Sequence, residues 1–176
     1  MPMSSREGKI KILEWIMELT TTYNKVLDIG VGEGTYALLY RKCKTIENAE
    51  WTGVEVWEPY IGRYRLEEKY DKILVEDART VDLGDEKFDI AFCGDIVEHM
   101  TKEESQHMVN KLLNCCSYVI LSIPIIYMPQ GSYAGNQYEI HVKPDWSHEE
   151  VLESFPNIID SKEGKVIGVY KLKGYV

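Results

Sequence analysis

Cysteine is scarce and scattered: Cys43, Cys93, Cys115 and Cys116 are the only four in 176 residues, with no CxxC spacing. Neither a disulfide framework nor a thiolate metal cluster is expected, and the thiols read as reduced and mostly buried. No apolar run approaches the ~20 residues that a membrane helix needs. The most apolar stretch, Val119 to Met128, is broken by Ser122 and Pro124. The opening Met-Pro-Met-Ser-Ser-Arg-Glu is polar and lacks the character of a secretory leader, so a soluble, cytoplasmic chain is expected. Positive charge is also short, 20 Lys and Arg against 29 Asp and Glu for a net charge of −9, with no basic cluster. That balance disfavours a surface built on a long phosphate backbone. Internal repeats, low-complexity tracts and a linker are missing too, so residues 1–176 read as one domain with a core of ordinary size.

What is present is a globular composition, 44% hydrophobic and 28% charged, arranged in alternating strands and helices. Ser4 and Glu7 form a capping box ahead of Ile10, Leu13, Ile16 and Met17, which share a helical face, so residues 1–24 should hold a first helix running to about Leu19. Val26 to Gly30 reads as a strand, and Tyr36, Leu39, Tyr40 and Cys43 follow at the spacing of a helix packed on a sheet. Trp51–Val56, Lys72–Glu76, Phe88–Cys93 and Tyr118–Ile123 are further strands. Between them, Glu58-Pro59 starts a helix toward Tyr70, and Thr101 with Glu104 caps one carrying Met108, Val109, Leu112 and Leu113. Ser147 with Glu150 repeats the box, Trp146 and Val151 stand as a hydrophobic staple, and this short helix stops before Pro156. Asn157–Ser161 and Lys165–Leu172 flank Lys162-Glu163-Gly164 as a hairpin. The pattern predicts an α/β fold: a doubly wound, Rossmann-like three-layer sandwich with a mostly parallel sheet and an antiparallel C-terminal hairpin.

Two segments stand out from that rhythm. Residues 124–144 form a long aperiodic loop with Tyr127, Tyr133, Tyr138 and His141, leaving the carboxyl end of the fifth strand, where open α/β sheets bind ligands. It is expected to be a substrate-side lid. The other is Asp28-Ile29-Gly30-Val31-Gly32-Glu33-Gly34 between strand and helix, where glycines let the backbone turn tightly and approach a ligand. A dinucleotide fingerprint would place its third glycine at position 35, which is Thr35, and needs no acid inside the strand. Asp28 instead suits a cationic, nucleoside-like ligand. Glu55 at the next strand end can accept both ribose hydroxyls, and Val56 and Trp57 offer apolar surface to a base. Asp77-Ala78 and Gly94-Asp95 end the third and fourth strands at the same edge.

On these residues the chain resembles the class I S-adenosylmethionine-dependent methyltransferases over about Val26 to Ile123, in the small-molecule branch of that superfamily. The resemblance implies S-adenosylmethionine as cofactor. It implies that Asp28, Gly30, Gly32 and Gly34 line the methionine moiety, Glu55 binds the ribose, Val56 and Trp57 flank the adenine, Asp77 with Ala78 meets its polar edge, and Gly94 and Asp95 close the methionine end. The Glu98-His99 pair is similar to one that small-molecule members often carry. His99 or His141 is expected to act as the general base for an oxygen or nitrogen nucleophile. The Asn/Asp-Pro-Pro-aromatic tetrad of base-amine methyltransferases is replaced by Gly94-Asp95-Ile96-Val97, and a Pro-Cys nucleophile is missing. The aspartate and asparagine set of catechol-type enzymes is not evident, so no metal is expected. A small-molecule acceptor is therefore favoured over nucleic acid, with a homo-oligomer or partner subunit left open. The alternatives are a silent S-adenosylmethionine-binding module acting through a partner, and an aminopropyl transferase.

Overall fold

A computed structural model describes residues 5–176 and shows one seven-stranded sheet in the order β3-β2-β1-β4-β5-β7-β6. The strands are β1 Lys25–Ile29, β2 Glu50–Val54, β3 Lys72–Leu74, β4 Phe88–Gly94, β5 Cys116–Pro124, β6 Ile158–Lys162 and β7 Ile167–Lys173. The first five pair in parallel, while β7 runs antiparallel to both β5 and β6. The strand order reverses between β1 and β4, which opens a crevice at the carboxyl edge between them.

Period-two alternation explains the two cores. On β4, Ala91 and Cys93 face one side with Leu27, Ile29, Val119 and Leu121, and are covered by Met108 and Leu112 of α4, Lys102–Leu113. On the other side Ile90 and Phe92 join Val26, Trp51 and Ile120 under α1, Lys9–Met17, and α2, Thr35–Tyr40. Phe92 stacks on Tyr36, Tyr40 and Trp51, with ring centroids 4.9, 5.7 and 5.8 Å away. The helices on both faces give the expected three-layer sandwich, and the C-terminal pair closes one edge. Among the described residues no helix is long and apolar enough to cross a membrane. Cys93, Cys115 and Cys116 are buried, Cys43 is half-buried, and all four thiols are free.

Four local expectations change. Ser4 of the first capping box lies outside the described residues; α1 starts at Lys9, and the Glu7 carboxylate accepts the N–H groups of Lys165, Val166 and Ile167 at 2.7, 3.0 and 2.8 Å. The helix also buries a different face: of Ile10, Leu13, Ile16 and Met17 only Ile16 is sealed in, with Ile12 and Trp15, and Ile10 and Met17 are 74% and 58% exposed. Both faces are apolar; on the buried one Trp15 also donates its indole N–H to Asp160 at 2.7 Å. In α2 the buried positions are Tyr36, Ala37 and Tyr40, while Leu39 faces solvent. The helix from Pro59 ends at Arg63, and after a left-handed Arg65 only a 3-10 turn, Leu66–Glu68, continues toward Tyr70. The Thr101–Glu104 box forms in both directions. At α5, His148–Ser154, only half of the box forms: Ser147 accepts from the Glu150 N–H at 3.1 Å, but the Glu150 carboxylate pairs with Lys102 and Lys143.

Candidate active site

The carboxyl ends of β1, β2, β4 and β5 and the loop 124–144 surround a cleft with a cavity of about 320 Å³. Ten of the thirteen residues singled out from the sequence line it: Gly30, Gly32, Glu55, Val56, Asp77, Ala78, Gly94, Asp95, His99 and His141. Asp28, Gly34 and Trp57 do not. Asp28 is buried beneath the glycine turn, where Tyr70 donates to Oδ2 at 2.5 Å and Oδ1 has no hydrogen-bond partner. Burial pushes its carboxyl up to about 7 against the opposing pull of the Tyr70 hydroxyl and Lys9. Gly34 caps α2 in the left-handed region and packs under Lys69. Trp57 contributes its backbone, donating an N–H to Glu55 Oε1 at 2.8 Å.

Glycine is needed at two places for reasons of contact. Gly30 sits at φ +69°, and a Cβ there would come within 2.6 Å of Ile96. A Cβ on Gly94 would lie 2.1 Å from the ring of Tyr36. The Tyr36 hydroxyl accepts from the buried Lys9 ammonium at 2.7 Å, so one wall of the cleft depends on β4 and on α1 together.

Glu55 is held rather than exposed. Its Oε2 accepts the Gly32 N–H at 3.0 Å and its Oε1 the Trp57 N–H, which leaves one lone pair on each oxygen. Burial raises its carboxyl to about 7 despite those bonds. Asp77 is clamped by Arg79, which also reaches Glu104, and the guanidinium holds the Asp77 carboxyl below the usual range. Sequence reasoning missed Arg79, whose role comes from contacts with Asp77 and the first turn of α4.

The opposite end is built from loop side chains. The Tyr60 hydroxyl donates to Glu139 Oε1 at 2.9 Å, and Gln130 donates to the Glu139 carbonyl at 2.7 Å. The Lys143 N–H bonds the Glu98 carbonyl and the Met128 N–H that of Pro144, so the loop is sewn to the 3-10 turn Val97–His99 that follows β4. Tyr138 reaches the cleft; Tyr127 is 73% exposed and, like Tyr133, lies outside it. The His99 and His141 rings stand 4.8 Å apart, nearly perpendicular. Each turns Nδ1 toward a backbone carbonyl, Ile140 at 3.2 Å and Met128 at 2.5 Å; a carbonyl only accepts, so both carry their proton on Nδ1. Burial, with the neighbouring His141 second, pushes His99 down to about 4, and burial lowers His141 as well.

The model of a methyltransferase domain family matches residues 26–117. Among curated proteins no relative matches. A protein of Pyrococcus horikoshii OT3 superposes with a TM-score of 0.66 at 19% identity, covering 97% of this chain and 92% of that one. The N-terminal domain of EvdMO1 with SAH bound gives 0.66 at 12% identity, over 97% and 82%. A SAM-dependent methyltransferase of Leishmania major gives 0.72 at 11% identity, over 95% and 72%. At these identities the likeness is one of fold.

Proposed function

We propose, from the premise that this chain belongs to the methyltransferase domain family, that it is an enzyme moving the methyl group of S-adenosylmethionine to an oxygen or nitrogen of a small-molecule acceptor. The observation that carries this reading is Glu55: a buried carboxylate at the end of β2, held by two backbone N–H groups, with one lone pair per oxygen for two adjacent hydroxyls. A ribose presents that pair of donors. The turn bearing Gly30 and Gly32 lines the same cleft, and Gly30 makes it at φ +69° with Ile96 packed against its α-carbon.

Val56 and Ala78 then supply the apolar surface for the adenine, and Asp77, oriented by Arg79, accepts from its amine. Asp28, one oxygen unpartnered beneath the glycine turn, contributes negative potential below the sulfonium. When bound, the cofactor supplies a methyl carbon on a positively charged sulfur, which an aligned nucleophile takes in line while the sulfur leaves neutral. The protein's task is chiefly alignment at ~3 to 3.5 Å and exclusion of water. The loop 124–144 closes the far side, and His99 with His141 activates the acceptor's proton-bearing atom through unprotonated Nε2 atoms. The acidic surface, at −9, disfavours a long polyanion as that acceptor.

Calorimetric titration with S-adenosylhomocysteine, with NADH alongside, tests the cofactor; release of S-adenosylhomocysteine from S-adenosylmethionine across a panel of hydroxyl and amine acceptors tests the reaction. Tight binding of the homocysteine nucleoside, weakened in Glu55→Ala, is expected. Binding of NADH alone, or of neither, would overturn the reading, and binding without turnover on any acceptor would leave a silent cofactor-binding module.

A further inference from the structure

Glu98, His99 and His141 do more than line one end of the cleft. One potential ligand atom from each lies within 4.8 Å of the other two. Glu98 is 2% exposed, and its Oε2 has no hydrogen-bond partner although the residue faces the cavity. A carboxylate so placed is costly to keep charged unless something cationic meets it. The two imidazoles donate Nδ1–H to Ile140 and Met128, which leaves each Nε2 lone pair available and fixes each ring, the arrangement by which outer groups orient histidine ligands around an ion.

We propose that Glu98, His99 and His141 hold one divalent transition-metal ion at the loop end of the cleft. Two imidazoles and one carboxylate, with no thiolate, suit manganese, iron, cobalt or zinc better than calcium or magnesium. Ligand atoms around one such ion stand about 3 to 3.4 Å apart at metal distances of about 2.0 to 2.2 Å. The trio must therefore draw in by about an ångström, by rotation of side chains whose backbones are tied together by the Lys143 N–H to Glu98 bond. The ion would carry net charge +1 with its ligands, offsetting the buried acid. Three protein ligands leave coordination positions open toward the cavity. With the ion bound the Nε2 lone pairs are engaged, so in place of accepting the proton themselves the histidines present a metal whose open positions receive the acceptor's hydroxyl oxygen and polarise its O–H; that step rests on the methyl-transfer reading, the binding of the ion does not. The expectation of no metal drew on a missing aspartate and asparagine set, which is a different trio from this one.

The test is equilibrium dialysis of chelator-treated protein against Mn²⁺ and, separately, Co²⁺, with bound metal counted by elemental analysis and the cobalt complex read by visible absorption. About one ion per chain is expected for the wild type, with a cobalt spectrum free of thiolate charge transfer. Affinity should fall about tenfold or more in His141→Ala and in Glu98→Gln. Thermal melting shows that each variant is folded; should Glu98→Gln fail there, His141→Ala, at a half-buried position, decides. Absence of stoichiometric uptake by the wild type, uptake that survives both substitutions, or thiolate bands in the cobalt spectrum would each overturn the site. Because S-adenosylhomocysteine binding is measured separately, metal uptake without it would sink the methyl-transfer reading and leave the ion site standing.

Discussion

At the end of the cleft formed by β1 and β2 the walls are largely backbone: the Gly30 to Gly34 turn, the N–H groups of Gly32 and Trp57 on Glu55, and strand termini held in parallel register. At the other end they are side chains, His99, Tyr138, Glu139 and His141, carried by a 3-10 turn and a loop that are tied to each other. The first end is set by the sheet, so its geometry follows from strand order and glycine conformation. The second end can be rewritten by substitution without touching the sheet. On the proposed reading this divides the labour, with the cofactor at the backbone end and the acceptor at the loop end.

That contrast breaks most readily at Glu55. Replacing it with alanine removes two charge-assisted acceptors, each ~1.5 to 3 kcal/mol, so S-adenosylhomocysteine affinity should drop by about a hundredfold or more in calorimetry. Wild-type affinity after that change would show that the backbone end does not bind the ribose. At the loop end, His141→Ala should lower turnover by about a hundredfold or more while changing S-adenosylhomocysteine affinity less than about threefold. An equal loss of both would erase the distinction between the two ends.

Acidity offers a finer probe. In the free protein Glu55 is raised to about 7 by burial, whereas hydroxyl donors favour its charged form. Binding therefore lowers its pKa, so affinity is fully present above about pH 7 and lost as pH falls through it, by up to about tenfold per pH unit. Glu55→Gln should flatten that slope, and a slope that persists would assign it to Asp28, also raised to about 7. The smallest effect is expected away from the cleft: Thr101→Ala removes the reciprocal cap of α4, costing about 1 kcal/mol and a Tm shift of about 2 to 4 °C with unchanged ligand binding.

The same contrast accounts for what was legible in the sequence. The alternation of strands and helices, the antiparallel C-terminal pair and the placing of Gly30, Glu55, Ala78 and Gly94 at one sheet edge follow from local signals, because a glycine turn or an acid at a strand end has one place to go in such a sheet. The buried side of α1 was only partly legible: Ile16 is buried as expected, but its companions are Ile12 and Trp15 rather than Ile10, Leu13 and Met17, and Trp15 bonds Asp160, nearly the whole chain away. Arg79 on Asp77, Tyr60 on Glu139 and the trio of Glu98 with two histidines are likewise products of long-range pairing. Asp28 was placed on the right strand, but Tyr70 takes it out of the cleft.

The carboxylate of Glu7, gathering the N–H groups of Lys165, Val166 and Ile167, ties the approach to α1 to the approach to β7. That contact is one of long sequence separation, spanning 158 to 160 residues, and it can form only once residues 165–167 have been made. Lys9 needs no such wait, since its partners Tyr36 and Tyr40 on α2 lie only 27 and 31 residues away. The segment around α1 is thus held twice, by near partners on α2 that complete the cleft wall and by a distant one at the approach to β7.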